Sequence, residues 1–364
     1  MSDSQDFQLL SALKQALQEQ WPAYSNVALA PLKAKGLAHD HVRIVGTGWL
    51  ARIPKQSQMR LKPQDNLDYQ QACFDRVSAA GHAPQCIWVL KPCASLPRGA
   101  LIVQEIAGRA ARLPQALPLM VLSTAAMHSL TLPSRDDMAP LIHAADPMLD
   151  LWHEVQAQAI YLPQAHLSAH VIAQIQDELA AFEALCRASP RPMQRLIAFD
   201  GHPGNFVIKH SDQGMEKAYL VDLEKCRYSY PGLDLAHATL YTSTTWDIDS
   251  HTILGVGDVM NAYIQWERSV DANLACDART WHLPLRRAMW LWSITWCAKW
   301  RVASRQAAAA QASGEDWSDE NLDPHLAAHV RERVDHYLSA DGVDVVRTEF
   351  AQLAQYMASE SLCA

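Results

Sequence analysis

The sequence predicts an α+β protein of two lobes: a small first lobe rich in β-strands and a larger, mostly helical second lobe. Short β-branched and aromatic runs punctuated by glycine fill the first third, whereas apolar residues at helical spacing fill the remainder. A length of 364 residues also exceeds the usual size of one domain. We place the predicted lobes at residues 1–107 and 108–364.

The first lobe is predicted to begin with an amphipathic helix and to continue as three strands, a helix and two strands. Gly46 and Gly48 suit a tight hairpin turn between two of the strands. The predicted ranges are 7–21 for the first helix, 27–55 for the three strands, 66–80 for the second helix, and 86–90 and 100–106 for the last two strands.

The second lobe is predicted to be helical, interrupted by two short strands and a loop over residues 195–222. An acidic stretch at 313–323 is predicted to be a loop. The predicted helices cover 116–130, 137–161, 168–187, 233–243, 251–274, 283–312, 323–338 and 342–358.

Composition argues against several classes of function. The formal net charge is −8 and no long basic run occurs, which argues against nucleic acid as the main partner. The first residues lack a basic start followed by an apolar run, and no stretch of 18 uncharged apolar residues occurs, so neither a signal peptide nor a membrane span is expected. The eight cysteines form no CxxC pair, which predicts reduced thiols in a cytoplasmic protein.

Two neighbouring apolar runs carry the residues that predict the chemistry. Asp200 and Asn205 stand five residues apart in LIAFDGHPGNFVI, across a turn rich in glycine and proline, and Asp222 ends the run in YLVDLEK. Two strands would bring these side chains to one place. A carboxylate that accepts a hydroxyl proton, beside oxygen ligands for Mg²⁺, is what phosphoryl transfer requires.

These segments resemble the catalytic loop of the aminoglycoside phosphotransferase and choline kinase family, written HGDxHPxN, and its I-D-[WF]-E strand end. The resemblance implies a protein-kinase-like fold and transfer of the γ-phosphoryl group of ATP or GTP to a hydroxyl. It also implies that Asp200 is the catalytic base and that Asn205 and Asp222 hold Mg²⁺. Glu224 matches the family's following glutamate, and Asp234 matches an acid with a structural role before a helix.

The first lobe extends the resemblance, which covers about residues 27–245. GLAHDHVRI resembles the hairpin that covers the nucleotide phosphates, and WLARI resembles the strand that carries a phosphate-binding cation. VQEIAG resembles the linker whose backbone holds adenine. The nucleotide-binding residues implied are Gly36, Arg52 (with Lys55 as the alternative cation), Gln104, Glu105 and Ile106.

Two departures from the family pattern lead to an alternative function. Ala198 stands where the family has a histidine before the catalytic aspartate, and Gln70 (or Gln71) stands where a helix glutamate should pair with the phosphate-binding cation. A neutral amide could hydrogen-bond Arg52 but could not form the ion pair. The alternative is therefore a pseudokinase, a nucleotide-binding or regulatory module with weak or no turnover. A kinase acting on proteins is disfavoured because only about a dozen residues separate Asp222 from Asp234.

The acceptor is expected to be a small hydroxylated molecule: an aminoglycoside, an amino alcohol, a sugar or a nucleoside-like compound. The acidic balance would suit a cationic acceptor. Trp292, Trp296 and Trp300 share a helix face and could form an aromatic wall for a cation, although packing in the core is the favoured interpretation. His128 and His202 are both expected to be structural.

Overall fold

The computed structural model describes residues 3–32, 38–210, 214–247, 251–305 and 324–361. The predicted phosphate-loop residue Gly36 and the acidic stretch 313–323 lie outside these residues.

A five-stranded antiparallel sheet in the order β1-β2-β3-β5-β4 forms the small lobe. One helix, α1, packs with the face of the sheet that includes Ala100 and Ile102, and the other, α2, packs with the face that includes Leu101 and Val103. Successive strand residues point to opposite faces of the sheet. Each face is buried because one of the two helices packs on it. The elements are α1 Asp3–Gln20, β1 Leu29–Pro31, β2 His39–Ile44, β3 Trp49–Pro54, α2 Pro63–Ser78, β4 Cys86–Leu90 and β5 Ala100–Gln104.

The predicted order of strands and helices in the small lobe is confirmed, and so is the glycine turn. Gly46 has φ +82° and Gly48 has φ +74°, conformations that side chains with a Cβ adopt rarely. The turn joins β2 to β3 in a register that pairs His41 with Arg52. It thereby sets which residues of β3 reach the interface with the larger lobe.

The larger lobe is built around the helix α10, which packs against α4 and α6. None of the described helices is long and apolar enough to cross a membrane. The elements are β6 Arg109–Ala110, α3 Leu117–His128, α4 Pro147–Ala159, α5 Ala169–Arg187, β7 Arg195–Ile197, β8 Phe206–His210, β9 Glu216–Leu220, β10 Arg227–Ser229, α6 Pro231–Thr239, α7 Tyr241–Thr244, α8 Val256–Ser269, α9 Ala272–Arg279, α10 His282–Ala303, α11 Pro324–Tyr337 and α12 Ala340–Ser361.

Some predicted boundaries are wrong because capping residues override apolar spacing. The helix predicted over 137–161 begins only at Pro147, where Asp146 accepts hydrogen bonds from the amides of Met148 and Leu149. The helix predicted over 251–274 is two helices, since Asp271 caps α9 in the same way. The region 195–222 contains three strands, β7, β8 and β9, instead of two.

The tryptophans of α10 belong mostly to the core of the helical lobe. Trp290 and Trp300 are 0% and 2% exposed, in a cluster with residues of α11 and α12. Trp296 is partly buried against the same cluster, so the packing interpretation holds for Trp296 and Trp300. Trp292, at 9% exposure, lies at the edge of the same cluster and next to the candidate site.

Candidate active site

The predicted catalytic loop joins β7 to β8, and buried hydrogen bonds hold its backbone. Phe199 adopts a left-handed conformation, φ +63°, which costs free energy for a residue with a side chain. Its amide and that of Ala198 each donate to the carboxylate of Asp234 over 2.7 Å. This pair of bonds stabilises the turn that presents Asp200.

Asp234 is in turn held by a buried relay from two other helices. The Nε1–H group of Trp266 donates to Nδ1 of His128 over 3.0 Å, and Nε2 of His128 lies 3.1 Å from the Asp234 carboxylate. His128 and Asp234 are 0% and 1% exposed. His128 and Asp234 therefore have the structural positions expected of them. His202 accepts a hydrogen bond from the Gly204 amide, which is also a structural contact.

Asp200 lies in a pocket of charged and polar side chains. The Nζ atom of Lys225 lies 2.7 Å from Oδ2 of Asp200, and Nδ1 of His237 lies 3.7 Å from Oδ1. Burial acts to raise the pKa of Asp200, but the charge and hydrogen bond of Lys225, together with His202 and His237, outweigh it and hold that pKa below its usual value. Burial lowers the pKa of His237 to about 4, so this imidazole is neutral near pH 7.

The two candidate metal ligands lie on adjoining backbone. The Val221 amide donates to the Asn205 carbonyl over 2.9 Å, which places Asn205 beside Asp222. Nδ2 of Asn205 donates to the Asp200 carbonyl over 2.8 Å, and this leaves its side-chain oxygen as the group that could bind a cation. Together with the Asp222 carboxylate, this is a set of hard oxygen donors that fits Mg²⁺ with phosphate oxygens as further ligands.

Arg52 reaches from β3 of the small lobe to Asp222. Its guanidinium donates to Oδ1 of Asp222 over 2.8 Å and to the Val221 carbonyl over 3.1 Å. Burial acts to raise the pKa of Asp222, but Arg52 holds it well below its usual value. Lys55, the alternative cation, is 31% exposed and lies 3.6 Å from Asp40 instead. The geometry thus favours Arg52 as the cation of this site.

Gln70 does not bond to Arg52 in this structure. Its side-chain oxygen contacts Nε2 of the buried His39 over 3.1 Å, and the same His39 atom lies 3.7 Å from Glu224. Burial, with the charge of Asp222, raises the pKa of Glu224 to about 8. Arg52 takes its ion pair from Asp222 rather than from helix α2, which explains how a glutamine is accommodated at residue 70.

The segment that links the two lobes begins at Gln104, the last residue of β5. The amides of Gln104 and Glu105 already donate to the carbonyl groups of Gln85 and Gly48, and the Glu105 side chain pairs with Arg43. A nucleotide base bound here would therefore bond to the linker carbonyl groups or to Ile106, and not to those two amides.

Sequence reasoning missed two residues that contact Asp200. Lys225 follows the predicted metal aspartate by three residues, and a cation directly after the DLE segment was a usable signal. His237 lies three residues after Asp234, one turn along α6, and only the packing of that helix under the loop brings it to Asp200.

Comparison with known proteins identifies the family. Residues 33–268 match the model of the phosphotransferase enzyme family, called APH, and the chain belongs to that family. The predicted resemblance is thereby confirmed. A comparison with curated protein sequences gave no match.

Solved structures of kinases share the fold. An ethanolamine kinase from Plasmodium vivax aligns with a TM-score of 0.60 at 12% identity, covering 93% of this chain and 89% of that one. The GDP complex of an aminoglycoside 2'-phosphotransferase-IIIa aligns with a TM-score of 0.56 at 15% identity, covering 89% and 97%. A choline/ethanolamine kinase family protein from Mesorhizobium loti aligns with a TM-score of 0.53 at 14% identity, covering 93% and 99%. The protein-kinase-like, two-lobed α+β fold is therefore confirmed.

Proposed function

We propose that this protein is a small-molecule kinase that transfers the γ-phosphoryl group of ATP or GTP to a hydroxyl group. The observation that carries the proposal is the meeting of Arg52 and Asp222 beside the loop that bears Asp200 and Asn205. A cation, two oxygen ligands for a metal and a carboxylate base are the parts that phosphoryl transfer needs. The family membership and the kinases of similar fold support it.

In the proposed reaction, Asp200 orients the acceptor hydroxyl and accepts its proton. The hydroxyl oxygen forms a bond to the γ-phosphorus while the bond from phosphorus to the bridging oxygen breaks, and the nucleoside diphosphate leaves. Arg52 would bind phosphate oxygens, and the linker Gln104–Ile106 would hold the base. Asn205 and Asp222 would hold Mg²⁺, which neutralises phosphate charge when bound.

The site would lie between the lobes, with the boundary that we propose at residue 107 next to the linker. The seven described cysteines are free, which supports action in the cytoplasm. Within the described chain, Gly108 approaches the Ile208 carbonyl so closely that a Cβ would lie 2.4 Å from it. This close contact fixes the end of the linker against β8 of the larger lobe.

The test is phosphoryl transfer by the purified full chain with Mg²⁺ and either ATP or GTP. A panel of hydroxylated compounds would be screened, with Asp200→Asn as the active-site variant and Asp344→Asn, an exposed residue of α12, as the control. We expect turnover of at least one acceptor, loss of about 10²- to 10⁴-fold in Asp200→Asn, and no loss in the control.

Nucleotide binding, measured as Mg²⁺-dependent thermal stabilisation, separates the alternatives. Binding without transfer to any acceptor would favour the pseudokinase suggested by Gln70 and Ala198. Absence of binding to either nucleotide would overturn the proposal.

A further inference from the structure

Lys225 lies next to Asp200, the proposed catalytic base. Its side chain is 12% exposed and its ammonium group lies 2.7 Å from Oδ2 of Asp200. An acceptor hydroxyl must come within hydrogen-bond distance of the same carboxylate to give up its proton. The part of the acceptor next to that hydroxyl would therefore meet the Lys225 ammonium group.

The same ammonium group lies over an aromatic ring. Nζ of Lys225 is 5.6 Å from the centre of the Trp292 ring, within the range of a cation–π contact. Trp292 belongs to α10 of the helical lobe, whereas the candidate nucleotide contacts Arg52 and Gln104 belong to the small lobe. The face of Trp292 that a cationic acceptor could have used next to Asp200 thus already holds a cation of the protein.

Fixed contacts hold Trp292 in this position. Its Nε1–H group donates to Oε2 of Glu154 over 2.9 Å, and its ring packs edge-on against Phe199 with centroids 5.1 Å apart. Glu154 also forms an ion pair with Arg227, so that this carboxylate is already neutralised. A second positive charge brought beside Lys225 would face repulsion from the lysine, and like charges placed together are a means of rejecting wrong partners.

We propose that Lys225 selects the acceptor. Because its ammonium group fills the space between Asp200 and Trp292, the site takes a hydroxyl compound without a cationic group next to the reacting hydroxyl, such as a sugar or another polyol. This inference rests on the phosphotransferase function proposed above. It narrows the acceptor class and disfavours amino alcohols.

The test compares pairs of acceptors in which an amine replaces one hydroxyl group, such as glucose with glucosamine and ethylene glycol with ethanolamine. The full chain would be assayed with Mg²⁺ and nucleotide as wild type, Lys225→Met, Lys225→Arg and the control Lys209→Met, which changes a lysine of β8 outside the site. We expect the wild type to favour the amine-free member by at least about tenfold in kcat/KM. Lys225→Met should remove or reverse that preference, and Lys225→Arg and Lys209→Met should retain it.

A wild-type preference for the amines, or an unchanged preference in Lys225→Met, would overturn the inference. If no pair is turned over, saturation-transfer NMR with a non-hydrolysable nucleotide bound would compare binding of the same pairs. Stronger binding of the amine-free members would support the inference. Stronger binding of the amines, or no difference in binding between the two members of a pair, would overturn it. Loss of nucleotide binding itself would instead overturn the kinase proposal.

Discussion

The guanidinium of Arg52 lies 2.8 Å from the carboxylate of Asp222, a contact between residues 170 positions apart and in different lobes. Arg52 is only 4% exposed, whereas Asp222 is 29% exposed and remains reachable by a ligand. The ion pair therefore links the small lobe to the candidate metal site.

Replacing Arg52 should impair nucleotide use more than replacing the nearby Lys55. We expect Arg52→Met to lower kcat/KM by about 10²-fold, because preorganised charge near transferring phosphate is removed. Arg52→Lys should recover only part of the lost kcat/KM. The lysine restores the positive charge, but an ammonium group cannot reproduce two guanidinium hydrogen bonds. Steady-state kinetics against nucleotide concentration measures this. A larger effect from Lys55→Met would show that the alternative cation binds the phosphates.

Two variants should separate metal binding from the lobe contact. Asn205→Ala and Asp222→Asn should each weaken the Mg²⁺ dependence of nucleotide binding by at least about tenfold, because each removes an oxygen ligand. Only Asp222→Asn also removes the charged partner of buried Arg52, so it should lower the thermal unfolding temperature more. Mg²⁺ titrations followed by thermal shift measure both effects. Wild-type Mg²⁺ dependence in Asn205→Ala would remove that residue from the metal site.

Asp234→Ala should destabilise the fold strongly. The change leaves the amides of Ala198 and Phe199 and the imidazole of His128 without their acceptor in the core. Since each unsatisfied buried group costs about 1–3 kcal/mol, we expect a loss of at least about 3 kcal/mol in the free energy of unfolding. Urea unfolding measures it.

The matched control for Asp234 is Asp344→Ala. Asp344 also pairs with a histidine, His170, but both side chains are about half exposed. Exposed pairs contribute roughly 0–1 kcal/mol, so the control should change little. Equal losses in the two variants would contradict the assigned role of the buried relay.

His237 should make the protein less stable in acid. Its pKa is about 4 in the folded state and 6.5 as an ordinary value, so between these pH values the unfolded chain binds a proton that the folded chain does not. Stability is therefore lost as pH falls from about 6.5 to about 4, by up to on the order of 3 kcal/mol. His237→Asn should flatten this part of the profile of unfolding free energy against pH. An equal slope in wild type and variant would refute the assignment, and His170→Asn, at an exposed histidine, serves as the control.

The arrangement of the small lobe was predictable because its causes are local. Glycines at residues 46 and 48 permit the positive φ values of the hairpin, and short β-branched runs suit a pleated sheet. Helix boundaries in the larger lobe were less predictable. Apolar spacing continues through residues 137–161, but the cap at Asp146 decides where the helix begins.

The motif residues Asp200, Asn205 and Asp222 could be proposed from the sequence, because they lie in short turns at the ends of β7, β8 and β9 and match a family motif. Their surroundings could not. The choice of Arg52 over Lys55 depends on the register of β3 and on a contact across 170 residues. The bond of Gln70 to His39 instead of Arg52 is likewise decided by packing between α2 and β2.

The sequence by itself predicted the family and the three motif residues, because its motifs resemble those of the family. It also predicted the two-lobed fold class, because spacing and turn chemistry act over a few neighbouring positions. Only the tertiary structure decided that Lys225 lies between Asp200 and Trp292 and that His128 supports Asp234. Those contacts join helices and loops far apart in the chain, and their geometry follows from how the helical core packs, which no local pattern encodes.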